Sequence, residues 1–203
     1  NCPVTAPTYS QVGTYKTDTH RYMNEIKEHG YLWGGVVVPE TDTNALAEGV
    51  RRLVSAGWPP VCIFMCDLAW SVTERLWTQA ETMFGANDAV VLEPTLAAFK
   101  LDPSNDREGK RYVGNNFGQP HRDYTYLDVF GSDSLQTDRN PRVLSVWLPL
   151  VDVTLENGCM YVVPQVGDAT GGHGEDASSA PTFDIKAVQA LAPAKAGTLF
   201  AWA

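Results

Sequence analysis

The chain has 203 residues, 44% hydrophobic and 19% charged, which suits a single soluble globular domain with a sizeable core. Its net charge of −9, from 15 basic and 24 acidic residues, repels phosphate backbones and argues against a nucleic-acid partner. No apolar run approaches the roughly 20 residues of a helical membrane span, so none is expected.

The first half reads as helices with a strand between them. Residues 18–29, DTHRYMNEIKEH, predict a helix that Gly30 ends, with Tyr22 and Ile26 four apart on its buried side. YLWGGVVVP follows as a short strand. A second helix is predicted over 43–56, with Leu46, Val50, Leu53 and Val54 on one face and Gly57 and Pro59-Pro60 as its stop. A third is predicted over 67–84. Asp67 is its N-cap, Leu68, Val72, Leu76, Ala80 and Met83 form its apolar stripe, and Gly85 stops it.

From about residue 89 the pattern changes to strands separated by Gly/Asn/Asp/Pro loops. Strands are predicted near 89–101, 119–130, 142–150, 158–164, 183–191 and 197–202, with long loops over 102–117 and 165–182. Helices followed by a run of strands predict an α+β chain. The expected architecture is one domain over 1–203, helix-rich in 1–88, whose strand half closes as a double-sheet jelly roll with the helices packed on one outer face.

Cys62 and Cys66 have C-x3-C spacing, but no second Cys or His pair stands at zinc-site distance, and Cys2 and Cys159 are isolated. The four thiols read as buried or incidental, and a reducing, cytoplasmic setting is expected. The chain starts at Asn1 without a signal-like apolar segment and stops at the strand-like AGTLFAWA, which reads as a fragment or excised domain cut within or just after a strand.

The candidate site lies in GQPHRDYTY, residues 118–126. His121 and Asp123 are separated by one residue, and a strand turns alternate residues to the same side. An imidazole and a carboxylate would then face one point, and a metal is one way to satisfy such a pair on a partly buried strand. Downstream, LSVWLPLVDVTLENGCMYVVP, residues 144–164, reads as two antiparallel strands joined by the turn TLENG. Val146, Leu148 and Leu150 form an aliphatic face, so Trp147 faces the other way, toward a possible cavity.

The order is an H-x-D strand, a W-x-P-L strand, an E-N-G turn, an apolar strand ending in Pro164 and a final G-T-L-F strand. It resembles the phytanoyl-CoA dioxygenase family of iron(II)- and 2-oxoglutarate-dependent oxygenases. The resemblance is most specific over 119–164 and 196–202, and looser over 20–101, where HGYLWGGVVVP matches an early family strand. It implies a double-stranded β-helix and a 2-His-1-carboxylate triad with three open metal positions, two for 2-oxoglutarate and one for oxygen. His121 and Asp123 match the first two ligands, Trp147 looks like an aromatic near the cosubstrate, and Lys100 could reach the same cavity. The implied reaction is hydroxylation of a small-molecule or lipid-like substrate. The carboxylate of Asp123 argues against the related halogenases, which leave that iron position to chloride.

In the family the second metal histidine follows the G-T-L-F strand, and an arginine for 2-oxoglutarate comes later still. Both are expected beyond Ala203. His173, in the Gly-rich loop GDATGGHGEDASS, is an alternative third ligand, as in a cupin-type metalloenzyme; it precedes the last two strands and lacks a rigid element beneath it. His20 and His29 read as surface or capping residues of the first helix. VVPQVGDA departs from the G-S-H that often follows this strand in the family, which bears on the local loop and substrate recognition. A non-catalytic jelly-roll binding domain is the other reading.

Overall fold

A computed structural model of the chain describes residues 19–84, 90–93, 95–101, 121–124, 128–129, 141–164 and 185–203. Helix α1 (Thr19–His29) buries Met23 and Ile26 and is followed by Gly30 at φ 82°, whose N–H donates to the Ile26 carbonyl at 2.8 Å. This left-handed glycine ends the helix at the predicted place. Helix α2 (Glu40–Ser55) begins three residues before the predicted start. Pro39 presets the entry at φ −59°, and Glu40 and Asp42 favour the positive N-terminal end of the helix dipole. Its far end closes through two reversed hydrogen bonds, from Gly57 N–H to the Val54 carbonyl and from Trp58 N–H to the Leu53 carbonyl.

Pro59-Pro60 does more than stop α2. Pro60 opens a 3-10 helix, Pro60–Met65, because its fixed φ suits a first helical turn. Helix α3 (Asp67–Phe84) runs where predicted, with Asp67 as its first residue rather than its cap. Val38, Leu46, Val50, Ile63, Ala69 and Val72 form a core between α2, the 3-10 helix and α3.

Strand β5 (Thr198–Trp202) is the middle of a three-stranded antiparallel sheet in the order β1-β5-β2, where β1 is Tyr31–Val36 and β2 is Ser145–Trp147. Tyr31 and Ser145 both oppose Trp202, Leu32 and Val146 both oppose Ala201, and Trp33 and Trp147 both oppose Phe200. Alternation across the strands gives the sheet two distinct faces. Leu32, Leu199 and Ala201 turn to the helices and form a second core with Met23, Ile26 and Met83. Full burial of a leucine such as Leu32 or Leu199 is worth about 2 kcal/mol. The opposite face carries Tyr31, Trp33, Ser145, Trp147, Phe200 and Trp202.

The register shifts between Trp33 and Val36, at Gly34 and Gly35. A Cβ on Gly34 would lie 3.0 Å from the Leu199 carbonyl oxygen, so the glycine lets β1 approach β5 closely. A second sheet pairs β3 (Tyr161–Val162) with β4 (Gln189–Ala190). The fold is therefore mixed helix and sheet, and among the described residues the sheets are small. Among these residues, no helix is long and apolar enough to cross a membrane, and no cysteine forms a disulfide.

Several strand expectations need correction. Described residues of 119–130 form no strand: Asp123 and Tyr124 are in a bend, and Asp128 and Val129 are helical. His121, Arg122 and Asp123 in succession offer no apolar face to bury, and strand formation depends on such a face. The described parts of 89–101 are also not strand, with Val91 83% exposed; Pro94 lacks the N–H that a ladder requires. The strand expected over 142–150 is confined to β2. Pro149 cannot donate to a ladder, and beyond β2 Leu148 and Leu150 pack on the α2–α3 core, whereas Val146 is exposed. The strand expected over 183–191 contains a 3-10 helix, Ile185–Ala187, before β4. Residues 144–164 are not a hairpin, because β2 pairs with β5 and β3 with β4. Both long loops, including His173, lie outside the described residues.

Gly197 precedes β5 at φ 79°, and a Cβ there would collide with the Val38 carbonyl. We predict that Gly197→Ala lowers stability by about 2 kcal/mol or more, through left-handed strain plus the clash. Chemical denaturation of the two proteins measures it, and an unchanged midpoint refutes this account.

Candidate functional site

The β2–β5 pairing places Ser145 directly across from Trp202, on the face turned away from the helices. Both reach the same atom. Ser145 Oγ donates to Asp123 Oδ2 at 2.6 Å, and Trp202 Nε1–H donates to that oxygen at 2.9 Å. The other carboxylate oxygen, Oδ1, lies 3.5 Å from His121 Nε2. The predicted convergence of His121 and Asp123 is therefore present, but a bend delivers it rather than strand alternation. The two side chains are 50% and 34% exposed, so the pair is open to solvent and to ligands.

One side of the site is aromatic. Phe200 is fully buried, with the Trp147 ring centroid 5.0 Å away and that of Trp33 at 5.5 Å. Trp147 thus lies on the expected side of its strand, two residues along from Ser145. Tyr124 follows Asp123 in the bend. Burial pushes its phenol pKa up, and the Glu93 and Asp123 carboxylates push it further, so the phenol stays protonated near neutrality. Glu93 also hydrogen-bonds Tyr124, which draws the 90–93 segment to the site. In the same row of the sheet, the Tyr31 hydroxyl donates to Gln189 Oε1 at 2.8 Å and links β1 to β4.

The predicted turn TLENG holds the chain where it passes from β2 toward the second sheet. Asn157 Nδ2 donates to the Asp152 carbonyl at 2.7 Å, and its Oδ1 accepts from Thr154 N–H at 2.8 Å. Gly158 takes φ 93°, which explains the glycine after Asn157. Asp152 then clips this turn to the segment entering β5, accepting from Lys195 Nζ at 2.6 Å and from Ala196 N–H at 3.0 Å.

Lys100 is exposed on an irregular segment, and no hydrogen bond or ion pair joins it to His121 or Asp123 among the described residues. His20 lies in α1, and His29 is exposed at its end. The sequence reading missed Ser145, Trp202 and Glu93. Ser145 and Trp202 carried a signal: each lies two residues from an aromatic, Trp147 or Phe200, and so shares that aromatic's face. Glu93 carried none.

An imidazole nitrogen and a carboxylate oxygen 3.5 Å apart can touch one ion, since that span is shorter than two metal–ligand bonds of about 2.1 Å laid end to end. The donor types are those of a 2-His-1-carboxylate centre, and the pair therefore fits part of such a site. Among the described residues, no third His, Cys, Asp or Glu gathers with them. The family model for phytanoyl-CoA dioxygenase matches residues 26–202, and the chain belongs to that family. Its members are dioxygenases, so the chain is of a general oxygenase kind. No curated protein and no solved structure gives a significant match.

The clip at Asp152 yields a pH prediction. The Lys195 ammonium, and then the Ala196 N–H, hold the Asp152 carboxyl below its ordinary 3.8, while the Lys195 pKa is raised, chiefly by its hydrogen bond to Asp152. A depressed carboxyl stabilises the fold above its ordinary value, and the contribution is lost as pH falls through the lowered one. The difference in melting temperature between wild type and Asp152→Asn should therefore shrink as pH drops below 3.8. Parallel melting curves across that range would refute it.

Proposed function

We propose that the protein is an iron(II)- and 2-oxoglutarate-dependent dioxygenase that hydroxylates a small-molecule or lipid-like substrate. The observation that carries this reading is the convergence of His121 Nε2 and Asp123 Oδ1 against the β2–β5 sheet of a phytanoyl-CoA dioxygenase family chain. In this reading the domain spans 1–203, and its two sheets are parts of a double-stranded β-helix. His121 and Asp123 hold the metal. With 2-oxoglutarate and oxygen, iron(II) supplies oxidation of a substrate C–H bond, with release of succinate and carbon dioxide.

The chain's own groups bind, orient and shield. Ser145 and Trp202 fix the Asp123 carboxylate. Trp147, tilted against Phe200, walls the cosubstrate side and excludes water there. Lys100 supplies a cation for a carboxylate of 2-oxoglutarate. Tyr124 offers a protonated phenol beside Asp123. The setting is cytoplasmic.

His121→Ala and Asp123→Ala should each reduce 2-oxoglutarate-dependent succinate release by more than about 100-fold. Because both side chains are partly exposed, stability should fall by less than about 1 kcal/mol. Unchanged turnover in both variants refutes the metal assignment, and absence of turnover in the wild-type full chain favours a non-catalytic binding domain. Lys100→Ala should raise the KM for 2-oxoglutarate with little change in kcat; an unchanged KM removes Lys100 from the site.

A further inference from the structure

We infer that Ser145 and Trp202 are positioning residues that make Asp123 a one-oxygen metal ligand. The inference rests on the metal reading proposed above. A carboxylate has two oxygens and can chelate with both. Here Oδ2 already accepts two hydrogen bonds, at 2.6 Å from Ser145 and 2.9 Å from Trp202, while Oδ1 faces His121 Nε2. The donors come from neighbouring strands locked opposite each other, so neither can follow the carboxylate if it turns.

The chemistry of the donors matters. An indole N–H only donates, so Trp202 cannot compete as a ligand. Ser145 donates a neutral hydroxyl proton. Neither group brings a formal positive charge, as an arginine or lysine would, so the carboxylate keeps its negative charge for a metal at Oδ1. A chelating carboxylate would occupy one more coordination position, and a 2-His-1-carboxylate centre needs its open positions for cosubstrate and oxygen. Holding Oδ2 in the sheet therefore preserves one of those positions.

The test uses the full chain with cobalt(II) as probe, read by its visible spectrum and dissociation constant, together with KM and kcat for 2-oxoglutarate. Ser145→Ala and Trp202→Phe should each weaken cobalt binding about 10-fold, in the range of lost outer hydrogen bonds to ligands. Ser145→Thr, which restores the hydroxyl, should bind like wild type. The double variant should also show a weaker visible band, from added coordination, and a KM that rises more than kcat falls. Wild-type affinity and spectrum in the double variant, with binding lost in Asp123→Asn, would overturn the inference and leave the metal reading standing. Wild-type cobalt binding in both Asp123→Asn and His121→Ala would overturn the metal reading and this inference with it. If the double variant does not fold, Ser145→Ala against Ser145→Thr decides, and equal affinity and spectra in those two overturn the inference.

Discussion

The register of β5 between β1 and β2 is the constraint on which the rest depends. A one-residue slip exchanges every side chain between the two faces of a sheet. In the observed register Leu199 and Ala201 close the core beneath α1 and α3, while Phe200 and Trp202 face the site. A slip would turn Phe200 and Trp202 into the helical core and Leu199 and Ala201 toward Asp123. The same hydrogen bonds that seat the helices thus decide which residues meet the proposed ligand. Hydrophobic burial enforces the register, and polar chemistry makes use of it.

The carboxylate of Asp123 depends on this sheet more than on its own segment. Residues 121–124 have no ladder of their own. Orientation comes from Ser145 and Trp202, which lie on strands fixed at both ends. At one end the Gly197 N–H donates to the Pro149 carbonyl at 2.8 Å, and at the other the Ala203 N–H donates to the Gly30 carbonyl at 3.2 Å. Asp152 adds a side-chain tie between the stretch after β2 and the stretch before β5. An irregular segment is thereby held by a regular scaffold, the common division of labour between functional loops and rigid elements.

Helical segments were legible because their signals are local. Leu46 and Val50 in α2, and Val72 and Met83 in α3, are buried as their spacing predicts, and Gly30 and Gly57 end their helices. β5 was legible as an unbroken apolar run. The described parts of the predicted 119–130 and 89–101 strands were misread because a ladder needs a partner, and pairing over long sequence distances leaves no local mark. His121 and Asp123 were legible as a pair through their types and spacing. Ser145 and Trp202 were legible only as sharing a face with Trp147 and Phe200, not as partners of Asp123, which lies 22 and 79 residues away in sequence.

The glycine pair in β1 has a consequence for solubility. Among the described residues β1 is an edge of the three-stranded sheet, and a long flat edge is a template on which another chain can add a strand. Gly34 and Gly35 break the register and kink that edge after three residues in step with β5. Among the described residues Gly35 has no neighbour that a Cβ would meet, so their packing does not require it. Trp33 and Val36, both exposed beside the kink, make a straight edge there more hazardous. Among the described residues, the irregularity that fits β1 to β5 therefore also leaves the outer side of the sheet a poorer template for edge-to-edge pairing.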